Sequence, residues 1–204
     1  MGMTMTGTNE PPVPAGAEDL GTAGLEKLLS ALQGSRDPHI RRYIVFLLGK
    51  HSDPRSVPVL IRALSDPEKG VREQAALSLS MIGKAAIGPL KAAMEDPKWE
   101  TRYRAVEALG KIADSQVVTP LIQALRDERD HVRYMAARGL RDVQDSKSVE
   151  PLISLLSDEN EFVRLMAVKG LGAIGGAKVR AALEQASAKE QSGRVKSAIT
   201  EALR

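Results

Sequence analysis

His39, His51 and His131 are the only imidazoles in this chain, and they bound the metal and acid–base chemistry open to it. His39 and His131 hold the same place in a recurring pattern, three repeats apart. At about 8–10 Å per packed helix layer they stand on the order of 25–30 Å from each other, too far for one ion. No metal site and no cofactor is therefore expected. The chain has no Cys, which excludes disulfides, thiolate zinc sites and cysteine nucleophiles and accords with a reducing cytoplasm as its expected location. Gly170, Gly172, Gly175 and Gly176 are dense, yet they match helix ends and close packing better than a phosphate-cradling loop. No Ser/His/Asp arrangement can be nominated. The chemistry-bearing residues thus predict a protein that is not an enzyme.

The arginines form a more regular set. Arg41, Arg72, Arg102, Arg133 and Arg164 each follow an apolar or small residue (Ile40, Val71, Thr101, Val132, Val163) at a spacing of 30 or 31. Such a column could grip phosphates. On a helical wheel, however, each Arg lies beside the buried face, a position where its stem packs and its head bridges to a carboxylate of a nearby turn. Asp66, Asp96, Asp127 and Asp158 recur in those turns and are candidates for capping the helix that follows. The column is expected to be structural, and loss of Arg133 to cost about 1–3 kcal/mol.

The elements that hold these residues follow from the same period. Pro58, Pro89, Pro120 and Pro151 stand 31 apart, and Leu48, Leu79, Leu109, Leu140 and Leu171 keep pace with them. Periods in this range mean a solenoid. Each unit has a short helix with its Pro near the start, a polar turn, and a second helix such as 132–143. Counting the Val-type position as zero, apolar or small residues fall at offsets 0, 4, 5, 8 and 11, one face of a helix. The aromatic share is only 3%, so the core must be aliphatic. The expected fold is all-α: a right-handed α-solenoid of about six two-helix repeats over Leu25–Arg204. Residues 1–24, rich in Thr, Gly and Pro and without Lys or Arg, read as a disordered tail. The longest apolar runs, such as Ile44–Leu48, are far too short to span a membrane.

At this level the units resemble a known family. Val71-Arg72-x-x-Ala75-Ala76-x-x-Leu79 and Val163-Arg164-x-x-Ala167-Val168-x-x-Leu171-Gly172-x-Ile174 look like HEAT repeats of the short variety named after phycobilisome lyases. Departures are Thr101 for Val, Arg141 for the Gly after Leu140, and Lys196 for Arg. The resemblance implies an Asp/Arg ladder between units. It also raises an alternative function, a bilin (tetrapyrrole) lyase-like or chromophore-handling protein. Helical-repeat hydroxylases of the deoxyhypusine type use His-Glu pairs, whereas here the histidines precede Ile40, Ser52 and Val132.

The positions that the repeat leaves free carry the functional expectation. Offsets 2, 3, 6 and 10 point away from the buried side and would line one continuous surface, which the resemblance implies is concave. Tyr103, Arg104, Tyr134, Met135, Arg138, Leu165, Met166 and Lys169 from the middle units, with Tyr43 and Phe46 from the first, are the predicted partner-binding residues. Aromatics, Met and Arg are enriched at interface centres. Six basic and three acidic residues on this face suit a protein or peptide segment of acidic or mixed charge. The interspersed Glu73, Glu107 and Asp142 argue against a nucleic-acid backbone as ligand. The leading expectation is a protein–protein scaffold or adaptor.

Overall fold

The computed structural model of the protein describes residues 10–112 and 114–204. Among these are twelve α-helices and no strand, in two compact units that divide between Ile82 and Gly83. The first unit holds α1 (Leu25–Gly34), α2 (Pro38–His51), α3 (Val57–Ala63) and α4 (Lys69–Ile82). In the second are α5 (Ile87–Ala93), α6 (Trp99–Lys111), α7 (Val118–Ala124), α8 (Asp130–Val143), α9 (Val149–Ser154), α10 (Glu161–Ile174), α11 (Ala177–Lys189) and α12 (Gly193–Ala202).

Local chemistry sets where these helices begin. The Asp37 carboxylate caps α2 by accepting from the His39 N–H, and the Asn160 side-chain oxygen does the same for α10 from Phe162. Three of the short helices are entered through a single 3-10 turn, in which Asp53, Asp114 and Asp145 accept from the N–H two residues on. The repeated prolines sit in the first turn that follows, where a missing N–H removes no intrahelical bond.

The predicted buried face is the core. In α8, Val132, Ala136, Ala137 and Leu140 are fully buried, and Val163, Ala167, Val168 and Leu171 repeat this in α10. Neighbouring second helices approach most closely where offset 9 of one meets offset 7 of the next. A Cβ placed on Gly49 would lie 2.5 Å from Ser78 Oγ, one on Gly110 3.0 Å from Gly139 Cα, and one on Gly172 2.9 Å from Ala202 Cβ. The small residues are thus a register of helix contacts, reached by two columns acting together.

The tail expectation needs correction where the chain is described. Residues 1–9 lie outside the described residues, but 10–24 do not behave as an unpacked tail. Ala17, Leu20 and Ala23 are buried around a short 3-10 turn, Glu18–Leu20. A Cβ on Gly21 would come within 3.3 Å of the Tyr43 hydroxyl, and Glu10 pairs with Lys50 at 3.1 Å. Three apolar side chains spaced by three suffice to seat this segment on α2. The surrounding Pro, Gly and Thr hide so short a signal.

Two hydroxyls in the core, Ser56 Oγ and Ser148 Oγ, are fully buried and have no hydrogen-bond partner among the described residues. Since an unsatisfied buried polar group is costly, Ser148→Ala should raise stability by about 1 kcal/mol in chemical denaturation. A loss of stability would show that the hydroxyl has a partner after all.

Candidate functional site

The arginine column is confirmed as structural. Arg133 donates from Nε and Nη2 to both oxygens of Asp158, at 2.7 and 3.0 Å, and from Nη1 to the Asp127 carbonyl at 2.9 Å. Arg102 makes the equivalent bonds to Asp127 and the Asp96 carbonyl, and Arg41 binds Asp66 at 2.8 Å. The guanidinium groups of Arg41, Arg102 and Arg133 therefore tie the turn of their own repeat to the acid of the next, each in a bidentate and largely enclosed pair. Among the described residues, Arg72 donates only to the Asp66 and Pro67 carbonyls of its own turn. In the last step Glu190 stands in for Asp and takes Arg164 at 2.8 Å. The turn aspartates have a second task that differs from helix capping. Asp66, Asp96, Asp127 and Asp158 accept from the N–H two residues ahead, closing the turn before the helix proper starts.

This ladder carries a pH signature. Its hydrogen bond from Arg164 holds Glu190 down at about 2. Burial opposes ionisation of Asp66 and Asp127, yet Arg41 and Arg102 keep both below the usual carboxylate value. A carboxylate with a depressed folded-state pKa contributes stability above its unfolded value, near 4, and that contribution is lost as pH falls toward 2. The melting temperature is therefore expected to fall between about pH 4.5 and pH 2. Glu190→Gln should flatten part of that fall; an unchanged slope would remove Glu190 from the account.

With the arginines committed to structure, the exposed face of α6, α8 and α10 is what remains for a ligand. Steps of three or four residues along each helix make rows across it. Trp99, His131 and Phe162 stand at the N-terminal edge; Tyr103, Tyr134 and Leu165 form the next row; Glu107, Arg138 and Lys169 the third. The aromatic groups are in contact: Trp99 lies 5.3 Å from the His131 ring and edge-on to Tyr103 at 6.4 Å. Tyr103, Asp130, His131, Tyr134, Asn160, Phe162 and Val163 line a shallow groove of about 390 Å³. Asp130 is held there by the His131 ring at 2.6 Å and by the Asn160 amide. Burial pushes the Tyr103 phenol above its ordinary value, with Glu107 adding to this and Arg104 and Arg138 opposing it. Tyr103 is accordingly a neutral donor and stacking surface at any ordinary pH.

Several predicted surface residues are elsewhere. Met135 and Met166 are each only 4% exposed, Tyr43 6% and Phe46 8%, so all four belong to the core. The offset-3 column lies on the flank of its helix, and adjacent second helices cover that flank: α8 packs extensively on both α6 and α10, and α2 on α4. The 17–23 segment adds cover over Tyr43. Arg104 is likewise enclosed, paired with Glu107 at 2.6 Å and lying over the Tyr103 ring. Tyr103, Tyr134 and Leu165 are half-buried, while Arg138 and Lys169 are exposed. Trp99, His131 and Phe162, the last 49% exposed, were missed by the repeat arithmetic. They lie one residue (His131, Phe162) or two residues (Trp99) before the Val-type position, outside the offsets considered, where the helix enters from the turn.

Comparison with known proteins places this geometry. HEAT repeats match residues 25–94, 84–132 and 118–204. A phycocyanobilin lyase subunit alpha from Picosynechococcus sp. is 32% identical in an alignment over 104 residues, covering 46% of this chain and 39% of the relative. The chain thus spans about two fifths of that relative's length. Among solved structures, the complex of CpcE and CpcF of phycocyanin lyase from Nostoc sp. superposes with a TM-score of 0.68 at 24% identity, over 74% of this chain and 100% of that one. A designed armadillo repeat protein in complex with a (KR)4 peptide gives a TM-score of 0.55 at 20% identity, over 89% and 100% of the two chains. These likenesses establish an all-α solenoid. The expectation that the chain has no part in enzymatic chemistry is overturned by its similarity to a lyase subunit. No helix among the described residues is long and apolar enough to cross a membrane. The period, the Arg ladder, the glycine contacts and the match across residues 25–204 agree: the chain belongs to the HEAT-repeat family, with repeats of the short variety named after phycobilisome lyases.

Proposed function

We propose that this protein is a bilin-lyase-related subunit that holds a linear tetrapyrrole without covalent attachment and presents it to a protein partner. The observation that carries this reading is the 32% identity to a phycocyanobilin lyase subunit. The groove supports it physically. Half-buried tyrosines beside Trp99 and Phe162 offer flat, apolar faces on which pyrrole rings can stack. Because the chain has no Cys, it offers no thiol to which a bilin could be joined by a thioether. A bilin would be held here by stacking and charge, and any acceptor thiol would belong to another chain. The exposed Arg138 and Lys169 suit an acidic ligand or partner segment.

The test is a titration of the full chain with phycocyanobilin, followed by the change in its visible absorption. Saturable binding is expected. Tyr134→Ala should weaken it at least tenfold, as loss of a large anchor does, while the helical circular dichroism spectrum is retained. Absence of binding by the wild-type chain would refute the tetrapyrrole reading. Binding that survives Tyr134→Ala unchanged would move the ligand off this groove.

A protein partner is part of the same reading, and Phe162 is the observation that favours it. It is a large apolar side chain about half exposed at the edge of the groove, with Arg194 lying 5.1 Å over its ring. An aromatic with a guanidinium beside it is typical of interface anchors.

A further inference from the structure

The tetrapyrrole reading leaves open what orients the ligand along the groove, and the third row of side chains bears on that. Every other arginine on or beside this face of α6, α8 and α10 is committed. Arg102, Arg133 and Arg164 are in the ladder. Arg104 is bound to Glu107, and Arg141 lies against Asp142 at 2.7 Å. Arg138 and Lys169, by contrast, are exposed and have no ion pair or hydrogen bond among the described residues. They occupy the same place in the second helices of consecutive repeats, α8 and α10, each four residues beyond a member of the stacking row, Tyr134 and Leu165. The α6 counterpart is an acid, Glu107, already neutralised by Arg104. The row therefore presents a neutral pair followed by two cations that make no ion pair among the described residues, with Glu107 and Asp142 lining the same hollow as Arg138.

We infer that Arg138 and Lys169 form a two-point clamp for the paired propionate carboxylates of a linear tetrapyrrole whose rings lie on Tyr103, Tyr134 and Leu165. This rests on the function proposed above and gives it a direction. One helical turn separates the stacking row from the cations, about 5–6 Å, the reach of a short carboxylate arm. Adjacent packed helices set the two cations about 8–10 Å apart, so two arms on neighbouring pyrrole rings can each meet one. The Arg offers a bidentate fork and the Lys a point charge, so the two ends of the clamp are not equivalent. The far side of the groove is lined by Asp130 and would repel carboxylates, which disfavours the reversed pose.

The clamp is tested by comparing phycocyanobilin with its propionate dimethyl ester as ligands of the full chain at low salt. The wild-type protein is expected to bind the diacid at least tenfold more tightly than the ester, a preference that shrinks as salt is added. In the Arg138→Gln/Lys169→Gln double variant, diacid affinity should fall to that of the ester, with ester affinity unchanged. The Lys84→Gln/Lys91→Gln double variant, an equal loss of charge at exposed positions on and just before α5, should leave both affinities as they were. Equal wild-type affinity for diacid and ester, or a preference that survives in the double variant, overturns the clamp while leaving tetrapyrrole binding intact. If neither form binds the wild-type chain, the functional reading fails and the clamp with it.

Discussion

Arg133→Ala is expected to lower stability by about 3 kcal/mol, at the upper edge of what the column alone suggests. The side chain ties four groups at once: the Asp158 carboxylate bidentately, the Asp127 carbonyl at 2.9 Å, the Glu128 carbonyl at 3.2 Å and the Glu159 carboxylate at 3.3 Å. Truncation leaves Asp158, whose side chain is 6% exposed, charged and without its main partner. The penalty is thus the uncompensated buried charge more than the lost attraction. For a chain of this size the melting temperature should fall by roughly 6–12 °C. Arg133→Lys should recover only part, because an ammonium cannot reproduce the planar fork. The measurement is a thermal or denaturant melt. A change below about 0.5 kcal/mol, as for an ordinary surface substitution, would show that the ladder contributes little.

Gly49→Ala should be destabilising by about 2 kcal/mol even though alanine is the better helix former. The added Cβ would lie 2.5 Å from Ser78 Oγ, 2.6 Å from its Cβ and 2.7 Å from its Cα. The last of these is backbone and cannot turn aside, so α2 and α4 must move apart. That movement loosens the buried bond in which the Ser78 hydroxyl donates to the Val45 carbonyl at 2.8 Å. Overpacking of this kind costs about 1–3 kcal/mol, which outweighs the gain of about 1 kcal/mol in helix propensity. Gly88 is the internal comparison: it lies in α5 and a Cβ there meets nothing within 4 Å. Gly88→Ala should therefore stabilise the protein, by up to about 1 kcal/mol. If both substitutions moved stability in the same direction, close helix approach at Gly49 would not be what selects glycine there.

The sequence by itself determined the periodic part of this protein. A repeat of 31 residues with helical apolar spacing permits one class of fold, because each two-helix unit can bury its apolar face only against its neighbours. The same periodicity made the arginine column legible: a charged residue fixed beside a buried stripe must meet a carboxylate or stay solvated, and the turn acids recur in step with it. The aromatic row at Tyr103 and Tyr134 was legible for the same reason.

Only the tertiary structure decided which free positions are open. A wheel for one helix separates core from outside, but in a solenoid each second helix is also covered on its flanks. Tyr43, Phe46, Met135 and Met166 pass from surface to core through contacts with neighbours that no single-helix pattern contains. The groove itself joins His131 and Phe162 from the starts of adjacent second helices, with Trp99 against the His131 ring, and their proximity depends on helix stacking. The packing of residues 17–23 depended likewise on a partner surface supplied by α2. Periodicity is a property of the chain and can be read along it; burial and adjacency belong to pairs of elements, and they exist only once the helices have packed.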